Sequence, residues 1–183
     1  AAIYSHLFGK LSGTPTVLKP EGGRIVIGLV ADTSGSGADS GREQVFGAEI
    51  ARDYYNRQNL LHGVEISLLK AEIDSAPDQA RIAFESLAGS RVWGIVGPTL
   101  SLQAFVAHSV AERDKIPTVA ASNTHPDILI NRKFISRVSS SVNAFTRVSI
   151  QTAANRQGIQ KAAIINHDSG NEYDFNVAEA KAF

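Results

Sequence analysis

From position 25 onward the chain alternates short unbroken apolar runs with stretches in which apolar residues return every three or four positions. The first run, residues 25–30 (IVIGLV), predicts a strand that ends at the Gly/Ser/Asp cluster of residues 32–41. Phe46, Ile50 and Tyr54 then sit four apart with Ala51 beside them, while Glu49, Arg52, Asp53 and Arg57 fill the other side. That spacing predicts an amphipathic helix with its aromatic stripe turned inward. Residues 64–69 are the second strand. Asp74-Ser75-Ala76-Pro77 opens a helix whose buried stripe is Ala80, Ala83, Phe84 and Leu87. A strand at 92–96 follows, then a helix with Leu102, Phe105, Val106, Ser109 and Val110 on one face. A strand at 116–121, a turn through Asn123 to Pro126 and a strand at 134–138 come next. A helix over 142–156, a strand over 162–165 and a helix from Tyr173 to the last residue complete the pattern.

Strands alternating with helices imply βαβ units, so the fold class is α/β: a doubly wound, mostly parallel sheet with helices on both faces. The strand runs are continuously apolar, as strands covered on both sides must be. The predicted core takes Ile27, Leu29, Ile66, Leu68, Ile95, Val96 and Val119 from the sheet. Phe46, Ile50, Phe84, Phe105 and Val106 cover it from the helices. Residues 1–24, rich in Gly, Pro and Thr beyond position 13, read as an extension or linker, and residues 25–141 as a first lobe. Residues 142–183 read as the start of a second lobe, left incomplete because one strand and two helices do not make a stable domain.

Composition narrows the function. With 43% hydrophobic and 20% charged residues the chain is outside the disordered class, and its 183 residues can bury a core without disulfides or metals. Eighteen basic residues balance eighteen acidic ones and no Lys/Arg run stands out, so no nucleic-acid partner and no anionic surface is expected. The absence of cysteine excludes disulfides, thiol catalysis and zinc-thiolate sites. No run of about eighteen apolar residues could span a membrane. The chain begins at Ala1 and has no methionine, so it is expected to be processed or partial, with any secretion signal already removed.

The candidate chemistry is sparse. Gly35, Gly37 and Gly41 follow the first strand, but a dinucleotide fingerprint needs its third glycine three residues after the second, and here it comes four after. No Gly-Lys-Ser/Thr follows, so the turn is not a phosphate-cradling loop either. His167-Asp168-Ser169 suggests a hydrolase, yet a nucleophile elbow needs glycine two residues either side of the serine, where this chain has His167 and Asn171. His6, His62, His108 and His125 lack metal-ligand spacing and read as surface or turn residues. No cofactor and no catalytic set is expected. The third and fourth strands end in Gly97-Pro98-Thr99-Leu100-Ser101 and Ala121-Ser122-Asn123-Thr124, small, uncharged and hydroxyl-bearing. Ligands of open parallel sheets sit outside such ends, and a helix N-terminus there favours a carboxylate. Ser101 and Thr124 serve equally well as helix caps, so both readings stand.

Taken together, several segments resemble the type I periplasmic binding proteins, specifically the Leu/Ile/Val-binding and amide-sensor group. They are IVIGLVADTSGSGADSG, GAEIARDYYNRQ, GVEISLLKAEIDSAPDQA, RVWGIVGPTLS, KIPTVAASNTHPDI and AAIINHDSGNEY, in the family's order and spacing from Ile25 to Phe183. The resemblance implies that Ser101 and Thr124 bind a ligand carboxylate and that Ser122 offers its carbonyl to an ammonium group. Leu100 and Asn123 would line the pocket, and Tyr173 would close over the ligand from the second lobe. Ser40 stands where the family's first loop often carries an aromatic residue, which argues against a branched aliphatic ligand. Asp174 follows Tyr173 where the family usually has glycine. The family's acidic partner for the ammonium group is expected beyond the residues present here.

The implied function is an extracytoplasmic receptor for an amino acid or related small carboxylate, a binder and not an enzyme. Its partners would be the small-molecule ligand and a membrane ABC transporter permease, with cleft closure as the mechanism. The alternatives are a ligand-sensing regulatory domain of the same fold and a nucleotide-using α/β enzyme.

Overall fold

The computed structural model describes residues 23–158 together with Lys161 and Ala163. Strand β1 (Arg24–Asp32) leads into helix α1 (Ala38–Arg57), β2 (Glu65–Ile73) into α2 (Pro77–Gly89), and β3 (Gly94–Val96) into α3 (Ser101–Asp114). Then come β4 (Thr118–Ala120), a short 3-10 turn (Pro126–Leu129), β5 (Ile135–Arg137) and α4 (Val142–Gln157). Every strand pairing is parallel, in the order β2-β1-β3-β4-β5. Through α1 the chain steps outward from β1 to β2; through α2 it returns past β1 to β3. With right-handed crossovers, these opposite directions put α1 on one face of the sheet and α2 and α3 on the other.

The α/β fold and parallel sheet follow the sequence reading, and so does α2. It starts at Pro77 and buries Ala80, Ala83, Phe84 and Leu87. The core lies on the α2/α3 face, where Val30, Ile73, Ile95 and Ile135 meet Phe84, Leu87, Val110 and Ala111.

Four expectations need correction. The first concerns α1, whose Phe46, Ile50 and Tyr54 are 62%, 53% and 58% exposed: the apolar stripe faces out. The side turned to the sheet carries Gly41 and Gln44, with Asn56 further along. Gln44 Nε2 donates to the Val30 carbonyl (2.9 Å), and Asn56 bonds both the N–H and the carbonyl of Ile66 (2.8 and 2.9 Å). These polar side chains are drawn inward by strand backbone, which helical periodicity does not register.

The second concerns the strands. Leu29 and Ile95 are buried, but Ile27, Ile66, Leu68, Val96 and Val119 are only half-buried. Register explains this: Ile27 pairs with Leu68, Leu29 with Val96, and Val96 with Val119, so apart from Ile95 all of them project to the α1 face. Among the described residues one helix covers that face.

The third concerns α3. It buries Gln103, Ala104, Ala107, His108, Val110 and Ala111, while Phe105 and Val106 are half-buried and Ser109 is exposed. The alanines let α3 lie close along α2, so its inner face is smaller-chained than its flank. The fourth concerns histidines. His62 is an exposed turn residue and His125, though only 6% exposed, also lies in a turn, but His108 is fully buried within α3. The strand expected at 162–165, the helix from Tyr173, and residues 1–22 lie outside the described residues.

Candidate functional site

Strand order reverses at β1 and β3, and the crevice outside the carboxyl ends of these strands is where doubly wound folds take ligands. Its floor is a buried polar network centred on Asp32, the last residue of β1. The Asp32 carboxylate accepts from Gln103 Nε2 at Oδ1 (2.7 Å) and from Ser75 Oγ at Oδ2 (2.8 Å). Its backbone N–H donates to Thr99 Oγ1 (2.9 Å), and that hydroxyl donates to Gln44 Oε1 (3.4 Å). Gln103 is wholly buried and fully employed, since Nε2 also donates to the Asp74 carbonyl (3.0 Å) and Oε1 accepts from the Leu100 N–H (2.9 Å). One amide therefore ties the end of β1, the turn after β2 and the turn after β3.

The glycine turn serves this carboxylate. A Cβ on Gly37 would lie 2.1 Å from Asp32 Oδ2, and one on Gly41 would lie 1.9 Å from the Asp32 carbonyl oxygen. Only glycine lets α1 start so close, so these glycines cradle the protein's own acid. Burial pushes the Asp32 carboxyl above its ordinary pKa; hydrogen bonds from Gln103 and Ser75 pull it down, and the neighbouring Asp74 charge pushes it up.

Above this floor stand the two hydroxyl-bearing loops. Ser101 is the first residue of α3, not its cap; Leu100 occupies the cap position. The Ser101 Oγ accepts from the backbone N–H groups of Thr124 (3.1 Å) and His125 (3.2 Å), which brings the β3 and β4 loops together. His125 caps the following 3-10 turn through Nδ1, so neither Ser101 nor Thr124 acts as a helix cap. Ser122 Oγ and Asn123 Nδ2 both donate to the Thr99 carbonyl (2.7 and 3.1 Å), fixing the second loop to the first. Among the described residues no hydrogen bond engages the Ser101 hydroxyl proton, the Thr124 hydroxyl or the Ser122 carbonyl. Two hydroxyl donors, the first turn of α3 and one carbonyl acceptor therefore remain for a ligand, a set that suits a carboxylate beside an ammonium group.

The second loop is also tied to the exit from the sheet. The carbonyls of Asn123, Thr124 and His125 accept from Ser139 Oγ (2.6 Å), the Val142 N–H (2.9 Å) and Arg137 Nη1 (2.7 Å). Beneath the first loop, His108 Nε2 lies 3.4 Å from the Gly97 carbonyl, and its Nδ1 has no hydrogen-bond partner among the described residues. Burial lowers the His108 pKa to about 4.

The structure thus brings Ser101, Thr124, Ser122, Asn123 and Leu100 into one neighbourhood. Ser40 is exposed in the first turn of α1 and shares no hydrogen bond with them, and Tyr173 lies outside the described residues. Sequence reading missed Asp32, Gln103 and Thr99. A usable signal was present for Gln103, which stands three residues after the cap position, where a glutamine folds back onto the helix start. Among the described residues no group of three or more His, Cys, Asp or Glu side chains is placed to hold a metal, and no helix is long and apolar enough to cross a membrane.

The sheet is parallel, in the order β2-β1-β3-β4-β5, with these donors and the acceptor at its carboxyl edge. Residues 24–183 match the family model described as periplasmic binding protein, and the chain belongs to that family. Among curated proteins none matches it. It is similar in fold to the branched-chain amino acid transporter substrate binding protein LivJ of Streptococcus pneumoniae, solved with isoleucine (TM-score 0.79, 21% identity, 87% of this chain and 45% of that one). A leucine binding protein, LivK of Thermotoga maritima, aligns with TM-score 0.75 and 22% identity over 87% of this chain and 44% of its own. A solute binding protein of an ABC transporter from Rhodopseudomonas palustris, solved with 3,4-dihydroxybenzoic acid, aligns with TM-score 0.72 and 20% identity over 87% and 43%. The chain therefore spans less than half the length of each.

Proposed function

We propose that this chain supplies the ligand-gripping first lobe of an extracytoplasmic solute receptor, a binder and not an enzyme. Its ligand is an amino acid or related small carboxylate, passed to a membrane ABC transporter permease. One observation carries the reading. The Ser101 Oγ uses its lone pairs to hold the Thr124 and His125 N–H groups, which leaves the Ser101 and Thr124 hydroxyl protons for a ligand. The carboxylate takes these donors with the first turn of α3, and the Ser122 carbonyl takes the ammonium. Leu100 and Asn123 shape the wall, Ser40 stands at the rim, and Tyr173 closes from the other side.

Thr124→Ala is the clean test, because it removes a hydroxyl with no protein partner among the described residues. A hydrogen bond to a charged group is worth about 1.5–3 kcal/mol, so the dissociation constant rises roughly tenfold to a hundredfold with no loss of stability. Ser101→Ala weakens binding similarly but also destabilises, by about 1 kcal/mol for each of the two N–H groups it abandons. Calorimetry of the full-length protein against a panel of amino acids and small carboxylates reads the first effect, and urea denaturation reads the second. Normal affinity in Thr124→Ala would overturn the assignment.

A further inference from the structure

The outward stripe of α1 has the symmetry of a self-complementary surface. At 100° per residue, Glu43, Phe46, Ile50, Tyr54 and Arg57 fall within an arc of about 80°, opposite the buried Gly41 and Gln44. Glu43 is exposed, and the Arg57 side chain is 78% exposed. A methyl group added to Gly47, beside the stripe, would meet nothing within 4 Å. We propose that α1 packs against α1 of a second copy of this chain, antiparallel and crossing at Ile50.

An isologous contact requires that if residue i meets j′, then j meets i′. Crossing at Ile50 meets that condition along the whole stripe. Ile50 faces Ile50′, Phe46 faces Tyr54′, and Glu43 faces Arg57′ at each end. A parallel arrangement would instead set Glu43 against Glu43′ and Arg57 against Arg57′, so charge selects the antiparallel one. Arg57 exchanges its exposed contact with Asp53 (3.2 Å) for the partner's glutamate. Gly47 lets the helices approach at the crossing. A further helix of the same chain laid beside α1 would cover the half-buried Val96 and Val119 on that face of the sheet. It would flank α1 and leave the outer stripe in water, so a second copy fits this stripe better. A four-turn helix pair is small among stable interfaces, which makes the association reversible.

The test is sedimentation of the full chain over a concentration series, with circular dichroism to verify folding. Wild type is expected to show a concentration-dependent dimer, and Ile50→Glu, at a position already 53% exposed, to be monomeric and folded. Glu43→Arg and Arg57→Glu each raise the dimer dissociation constant about tenfold or more, by setting like charges together at both ends. Mixed in equal amounts, the two variants recover association, because each heterodimer restores both opposite-charge contacts. Recovery supports the antiparallel dimer uniquely. A mixture no better than its components, association that survives Ile50→Glu, or a wild type monomeric at every concentration overturns it. Monomeric wild type with Tyr54 shielded from solvent would assign the stripe to the chain's own remaining residues.

Discussion

Gln103→Leu removes the amide that joins three strand ends while keeping the residue's volume close to its own. The wild-type amide makes three hydrogen bonds, to the Asp32 carboxylate at 2.7 Å, the Asp74 carbonyl at 3.0 Å and the Leu100 N–H at 2.9 Å. The bond to a charged group is worth about 1.5–3 kcal/mol and each backbone bond about 1 kcal/mol. Burying the leucine side chain in place of the amide returns about 1 kcal/mol. The net loss is about 2.5–4 kcal/mol, because the Asp32 carboxylate keeps only Ser75 and the Leu100 N–H is left without an acceptor. Urea unfolding followed by the fluorescence of Trp93, the single tryptophan, measures it directly. The midpoint should fall while the slope holds, since the surface exposed on unfolding is unchanged. A loss under about 1 kcal/mol would mean that water or a shifted neighbour replaces the amide, and the view of Gln103 as the tie beneath the crevice would fail.

Two glycines of one helix separate local from tertiary effects. Gly41→Ala puts a Cβ 1.9 Å from the Asp32 carbonyl and should destabilise by about 1–3 kcal/mol or more, whereas Gly47→Ala, with open space around it in the single chain, should stabilise the monomer by up to about 1 kcal/mol at protein concentrations too low for self-association. Thermal melts of both variants decide, and equal shifts would refute the close approach of α1 to Asp32. His108 supplies a pH dependence. Its pKa falls from 6.5 to about 4 on folding, so between these values the unfolded chain binds a proton that the folded chain refuses. Its contribution is present in full above pH 6.5, declines as pH falls, and is flat below about 4, a span of about 3 kcal/mol. Urea midpoints of wild type and His108→Gln from pH 7 to pH 4 should diverge accordingly; parallel curves would refute it.

The parts of the fold that sequence revealed are those where one physical signal dominates. The α2 helix has a proline start and an apolar face with no polar competitor, and both were legible. In α1 and α3 the inner faces carry Gln44, Asn56, Gln103 and His108, each drawn in by a particular backbone group. Those partners lie on other strands and loops, and periodicity along one helix contains no trace of them. The exposed stripe of α1 therefore read as its core side. At the site, strand-end loops were identifiable because parallel sheets open there. The contact between Ser101 and Thr124 joins residues 23 apart in two loops, and only the assembled sheet creates it.

The three bonds from Arg137, Ser139 and Val142 to the carbonyls of residues 123–125 also have a mechanical meaning. Bending the chain anywhere between the end of β5 and the first residue of α4 would break them together, at about 1 kcal/mol each. That stretch is therefore stiff. A torque applied at the start of α4 is passed to the loop of residues 123–125, and a load on that loop is felt at the start of α4.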